Sequence, residues 1–146
     1  GIRICEDSAI LLSAECYVEH IRRYNEQALN EFEGGWIHYC GSVPGTGRPG
    51  GEHLHDIYIE LSNLRGLNFT TSGDLDAEIR KLVNHDVAYI GSYPRDDGES
   101  LDDYFRRLLR LLPQRTGLLL QSPPIKPNER DAAYDTWYKI QDEVFG

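Results

Sequence analysis

Methionine is absent from this chain altogether, and cysteine is scarce, with three in 146 residues. An odd number of widely spaced cysteines excludes a disulfide framework and leads us to expect a reducing compartment, the cytoplasm. Basic residues are also few: 15 Lys and Arg against 24 Asp and Glu leave a net charge of −9. A nucleic-acid or anionic-membrane surface needs a basic stripe, so neither partner is expected. The pairs Arg22-Arg23 and Arg106-Arg107 read as solvated helix positions. No apolar run approaches the ~20 residues of a membrane span, and no signal peptide opens the chain. Low-complexity segments and internal linkers are missing too. What remains, 40% hydrophobic and 27% charged, is the composition of one globular domain over residues 1–146. With no initiator Met and an immediate strand-like Ile2-Arg3-Ile4-Cys5, the chain is expected to be a piece of something longer.

The pattern that is present alternates strands and helices. Short apolar strands are expected at Ile2–Cys5, Trp36–Tyr39, Leu64–Phe69, Val87–Ile90 and Leu118–Leu120. Between them, Ser13 caps a helix from about Ala14 with Tyr17, Ile21, Tyr24, Ala28 and Phe32 on one stripe. A short helix is expected over His53–Ser62, and Asp74 caps another that buries Leu75, Ile79, Leu82 and Val83. Ser100 and Asp103 form a capping box for a helix carrying Tyr104, Phe105, Leu108, Leu109 and Leu112. A last helix from Asn128 packs Ala132, Ala133, Trp137, Ile140 and Val144. Strictly alternating strands and helices give an α/β domain of five parallel βα units.

The chemistry gathers at Gly34-Gly35-Trp36-Ile37-His38-Tyr39-Cys40-Gly41. Side chains two apart on a strand share a face, so His38 and Cys40 stand side by side where parallel α/β proteins keep their sites. Imidazole and thiolate on one strand are half of a zinc site; the plainer alternative is a core histidine beside a buried thiol. Asp7 ends the first strand, either as a functional carboxylate or as a cap for the following loop. Alternation turns Cys5 to the same side as Asp7, as a substitute metal ligand or as a buried inert thiol, with Glu6 toward the helices. Asn68 is expected to point inward, since Leu67 and Phe69 suit the helix-facing side. His53 and His55 read as an exposed helix start, or as residues that close over the site from the long loop. The loop Gly41–Gly51, with five Gly and two Pro, lacks phosphate-loop spacing and reads as a mobile lid or a shortened insertion.

Two architectures fit five βα units. A doubly wound open sheet of the response-regulator kind needs an Asp ending strand three and a Lys ending strand five, where this chain has Asn68-Phe69-Thr70 and Gln121. The other is the carboxyl-terminal five eighths of a TIM (β/α)8 barrel. Cys5-Glu6-Asp7-Ser8-Ala9-Ile10-Leu11-Leu12-Ser13, the Arg-Arg-Tyr-Asn helix, Gly-Gly-Trp-Ile-His-Tyr-Cys-Gly and Leu64-Arg65-Gly66-Leu67-Asn68-Phe69 together resemble the uroporphyrinogen decarboxylase superfamily. The likeness spans nearly all of the chain and is strongest between Cys5 and Phe69. It implies a single barrel domain whose amino-terminal βα units lie outside these residues.

That resemblance implies one of two chemistries. In the methyltransferase-like branch, His-x-Cys and a later Cys bind Zn²⁺, which activates a thiol for methyl transfer involving a corrinoid. His38 and Cys40 match the pair, and the later Cys falls where this chain has Gln121 and Ser122. Asp7 and His38 are then catalytic, Asn68 and Gln121 bind substrate, and the partner is a small molecule or a corrinoid protein. The alternative branch performs metal-free decarboxylation in porphyrin biosynthesis, and a third reading is a non-catalytic binding or assembly domain. Five strands of an eight-stranded barrel leave two unpaired edges, so a homodimer is expected.

Overall fold

The computed structural model describes residues 1–43, 45–47, 49–121 and 123–146. Pro44 and Arg48 of the Gly-rich loop, and Ser122 beyond strand five, lie outside the described residues, so the reading of that loop and part of the turn after strand five fall there.

Five strands, β1 (Ile2–Cys5), β2 (Gly35–His38), β3 (Leu64–Asn68), β4 (Ala88–Gly91) and β5 (Leu118–Leu120), form one sheet in the order β1-β2-β3-β4-β5. Every pairing is parallel. The expected α/β class and parallel βα units are present, and the order does not reverse, as a doubly wound sheet would require. The helices are α1 (Ala14–His20), α2 (Arg22–Glu31), α3 (His55–Tyr58), α4 (Leu75–Val83), α5 (Leu101–Leu109) and α6 (Arg130–Phe145). Right-handed crossovers between successive neighbouring strands carry the helices to the same face of a sheet.

The two faces of the sheet differ accordingly. Ile37, Tyr39, Leu67, Phe69 and Tyr89 are buried in one core with Tyr17, Leu29, Ile79, Tyr104 and Leu108 from the helices. The other face carries the rows Arg3, Trp36, Gly66, Ala88 and Cys5, His38, Asn68, Ile90, Leu119. There Arg3 and Cys5 are exposed, Leu119 is 57% exposed, and the Arg3 guanidinium stacks over the Trp36 ring at 4.9 Å. A register shift between Gly35 and Trp36 skips Arg65, turning that charge outward and restoring Gly66 and Asn68 to the row of the site.

Three helix starts match the capping chemistry. Ser13, Asp74 and Ser100 accept backbone N–H bonds from Cys16, Ala77 and Asp103 at 3.2, 3.0 and 3.1 Å. The first helical stretch departs from its expected stripe. The chain breaks at Ile21 between α1 and α2, and the buried positions are Tyr17, Asn25 and Leu29, while Tyr24 and Phe32 are exposed. A buried polar residue set the true face: Asn25 Nδ2 donates to the Tyr17 hydroxyl at 2.7 Å, which satisfies both groups inside the core. Ala132, expected in the core, is exposed; α6 buries Ala133 and Ile140 instead. No helix among the described residues is long and apolar enough to cross a membrane.

Candidate metal centre

His38 ends β2 and Cys40 follows two residues later, so both side chains reach the carboxyl end of the face without helices. Asp7, just past β1, joins them from the neighbouring strand. Its Oδ1 accepts the Cys40 backbone N–H at 2.7 Å and lies 3.9 Å from His38 Nε2. The Cys40 Sγ sits 3.6 Å from the same nitrogen. The ligand atoms of Asp7, His38 and Cys40 all lie within 4.8 Å of one another, the one such cluster among the described residues.

Asn68 fixes how His38 presents itself. Its Nδ2 donates to the Ile90 carbonyl, and its Oδ1 faces His38 Nδ1 at 2.6 Å. Turning the amide over would set oxygen against oxygen, so the orientation follows from the partners. A carbonyl oxygen only accepts, so Nδ1 carries the proton. In the neutral ring the lone pair is therefore on Nε2, aimed at Cys40 and Asp7. An imidazole held in this way by an outer hydrogen bond is the usual arrangement of a metal-ligating histidine.

The donor set fits zinc. Bonds of about 2.05 Å to nitrogen and 2.3 Å to sulfur at a tetrahedral angle separate N and S by about 3.6 Å. The observed separation is 3.6 Å. Nitrogen and carboxylate oxygen would stand about 3.4 Å apart by the same geometry, so at 3.9 Å the Asp7 side chain needs only a small inward shift. A thiolate and a carboxylate offset the charge of Zn²⁺, leaving a neutral centre with room for one more ligand.

The remaining expected residues divide. Asn68 is buried and bonded as described, and Gln121 lines the same cleft of about 350 Å³ as His38, Cys40 and Asn68. Gln121 is tied there through its backbone, with its N–H on the Gly91 carbonyl at 2.8 Å and its carbonyl accepting Ser92 Oγ at 2.9 Å. Cys5, expected either as substitute ligand or as a buried thiol, is exposed and stands outside the cluster. Cys5 is level with His38, but the donor that the first strand's end supplies to the cluster comes two residues later, from Asp7. Glu6 does face the helices, where burial raises its pKa against a lowering bond from Asn25.

His55 overturns an expectation. It is fully buried, because the single turn Glu52–Leu54 precedes α3 and rotates the ring into the core. Its Nε2 accepts the Tyr39 hydroxyl at 2.6 Å, and its Nδ1 donates to Glu78 Oε2 at 2.5 Å. Burial lowers its pKa, outweighing the Glu78 carboxylate. Periodicity gave no sign of this relay; three polar residues scattered over positions 39, 55 and 78 carry no local pattern. His53 does stay exposed, bonded to the Leu12 carbonyl at 2.9 Å.

No family model, curated protein or solved structure matches the chain.

Proposed function

We propose that the domain is an arc of a (β/α)8 barrel of the uroporphyrinogen decarboxylase superfamily, nearest the methyltransferase-like branch. In this reading His38, Cys40 and Asp7 hold Zn²⁺ for thiol methyl transfer involving a corrinoid. The observation that carries it is the convergence of those three donors beside a histidine whose tautomer Asn68 has already fixed. The sequential strand order and the helix-free inner face support the barrel. Asp7 takes the place that a later cysteine would fill. When bound, zinc would lower the pKa of a substrate thiol so that it is a thiolate at neutral pH. His38 and Cys40 would anchor the ion on one strand, Asp7 would complete the charge balance, and Asn68 would keep Nε2 unprotonated toward it.

One observation favours a second, metal-free reading of decarboxylase type. Asp7 already accepts a backbone N–H, and Cys40 Sγ–H donates to His38 Nε2 within sulfur hydrogen-bond range, so the cluster is satisfied without an ion. Metal stoichiometry separates the two. The zinc reading expects one tightly bound Zn²⁺ per chain, lost in Cys40→Ser and in His38→Ala. A wild-type protein that takes up no zinc at micromolar concentration would sink it.

A further inference from the structure

The cleft at His38 and Cys40 does not end there. It shares Val43, Thr70 and Ser92 with a second recess of about 570 Å³ that runs outward past Leu75, Tyr93 and Pro94. The two therefore adjoin as arms of one cleft, with the candidate metal centre beside the smaller arm and the larger arm lined by residues beyond the ends of β3 and β4.

The outer arm has an unusual hydrogen-bond character: apart from exposed Thr70, where it meets the inner arm, the hydroxyl protons of its lining side chains are already used. Ser42 Oγ and Thr71 Oγ1 both donate to the Glu52 carboxylate behind the wall. Ser72 Oγ donates to Ser42 Oγ at 3.0 Å, and Ser92 Oγ to the Gln121 carbonyl at 2.9 Å. The Tyr89 and Tyr93 hydroxyls donate to the Ser92 carbonyl at 2.8 Å and to Asp76 at 2.7 Å. Even the backbone N–H groups of Ser72 and Gly73 are turned inward, onto Ser42 Oγ and Thr71 Oγ1 at 2.7 and 2.9 Å. What faces the outer arm is mainly carbon surface and acceptor oxygen, with the Thr70 hydroxyl at the junction, and no lysine or arginine is among the described residues that line either arm. An anionic group entering this arm would lose water and gain no charged donor, whereas a hydroxyl or amide N–H would find several acceptors.

We infer that the outer arm binds the non-reacting part of the substrate, and that this part is a non-anionic, hydrogen-bond-donating group. The inference deepens the thiol-transfer reading, on which only the placement of the sulfur rests: the thiol would sit at His38 and Cys40 with its tail in the outer arm. The net charge of −9 acts in the same direction on any anion approaching from solution.

Two probes of equal length test it, 3-mercaptopropan-1-ol and 3-mercaptopropionate, titrated into protein loaded with Co²⁺ in place of zinc. Thiolate coordination to cobalt produces a charge-transfer absorption that reports binding without any turnover. The alcohol should bind at least about tenfold more tightly than the carboxylate, the size of effect expected for an anion desolvated without a partner. Thr70→Arg, at an exposed position common to both arms, should take up cobalt normally and bring the two affinities within about threefold. Should that variant not fold, Leu75→Arg in the outer arm makes the same substitution of charge. Equal or tighter binding of the carboxylate by the native protein, or an unchanged ratio in the arginine variant, would overturn the inference. If the protein takes up no cobalt, the metal reading fails separately. The cleft is then read in the metal-free protein by its melting temperature, which the alcohol should raise and the carboxylate should not; no rise with the alcohol would count against it.

Discussion

Asn68 is the residue on which the chemistry of His38 turns, and replacing it separates orientation from ligation. In Asn68→Leu the imidazole keeps its position but loses the acceptor that holds the proton on Nδ1. Removing such an outer-shell partner typically weakens metal binding 10- to 100-fold, and that is the loss expected in a chelator competition for zinc. The Ile90 carbonyl also loses its donor, so a stability cost of about 1–3 kcal/mol should appear in urea titration of the metal-free protein. His55 offers a second test, by pH. It is neutral in the fold and its pKa is lowered from 6.5, so between the unfolded and folded values the unfolded chain binds more protons. Stability therefore falls as pH drops below about 6.5, with burial first, then Glu78, Glu52 and Lys81, setting the folded value. His55→Gln should be less stable at pH 8 yet show a flatter decline between about pH 6.5 and 5, measured by urea midpoints. A slope as steep as that of the native protein would assign the acid sensitivity elsewhere. His38, Cys40, Asp7 and Asn68 were legible because strand alternation and strand ends announce them. His55 was not, since one tight turn ahead of α3 decides which way it points.

Among the elements, the loops leaving β2 and β3 are fitted closely together. A methyl group added to buried Gly41 would meet the Thr70 carbonyl oxygen at 1.7 Å, a backbone atom that cannot swing away. Gly41→Ala should therefore push the two strand exits apart, costing about 2–3 kcal/mol in chemical denaturation and weakening metal uptake with it. The caps are an independent, milder test. Ser100→Ala removes the acceptor for the Asp103 N–H and should cost about 1 kcal/mol, or about 2–4 °C in melting temperature, without touching the site. Strand and helix order could be read from period and caps because α4 and α5 bury the faces their patterns announce. The α1–α2 stripe could not, because Asn25 looks like a surface residue and is paired inside with Tyr17. Apolar counting passes over a buried amide.

For the molecule as a whole, the sheet's ends are its exposed backbone. β1 and β5 each pair on one side only among the described residues, and Leu119 on β5 is 57% exposed. We propose that a second copy covers these edges in a homodimer burying more than about 1,000 Å². Light scattering of the 146-residue chain at micromolar concentration should return twice its mass of 16.7 kDa. A stable monomer at that concentration would contradict the proposal. Strand order, helix side and an open inner face could all be anticipated from the barrel reading; what the coordinates add is Arg3 lying across Trp36 on that face.

The strand order also governs how the chain would assemble in time. Each strand pairs with the one before it, so every step closes a loop of similar, modest length, and no pairing waits for a distant part of the chain. The described strands can join the sheet one βα unit after another. Asp7, His38 and Cys40 all belong to one such closure, β1 onto β2. An ion captured there would tie β1 to β2 without waiting for β3 to β5, and would act as a clasp on that pair of strands as well as a reagent in the finished site.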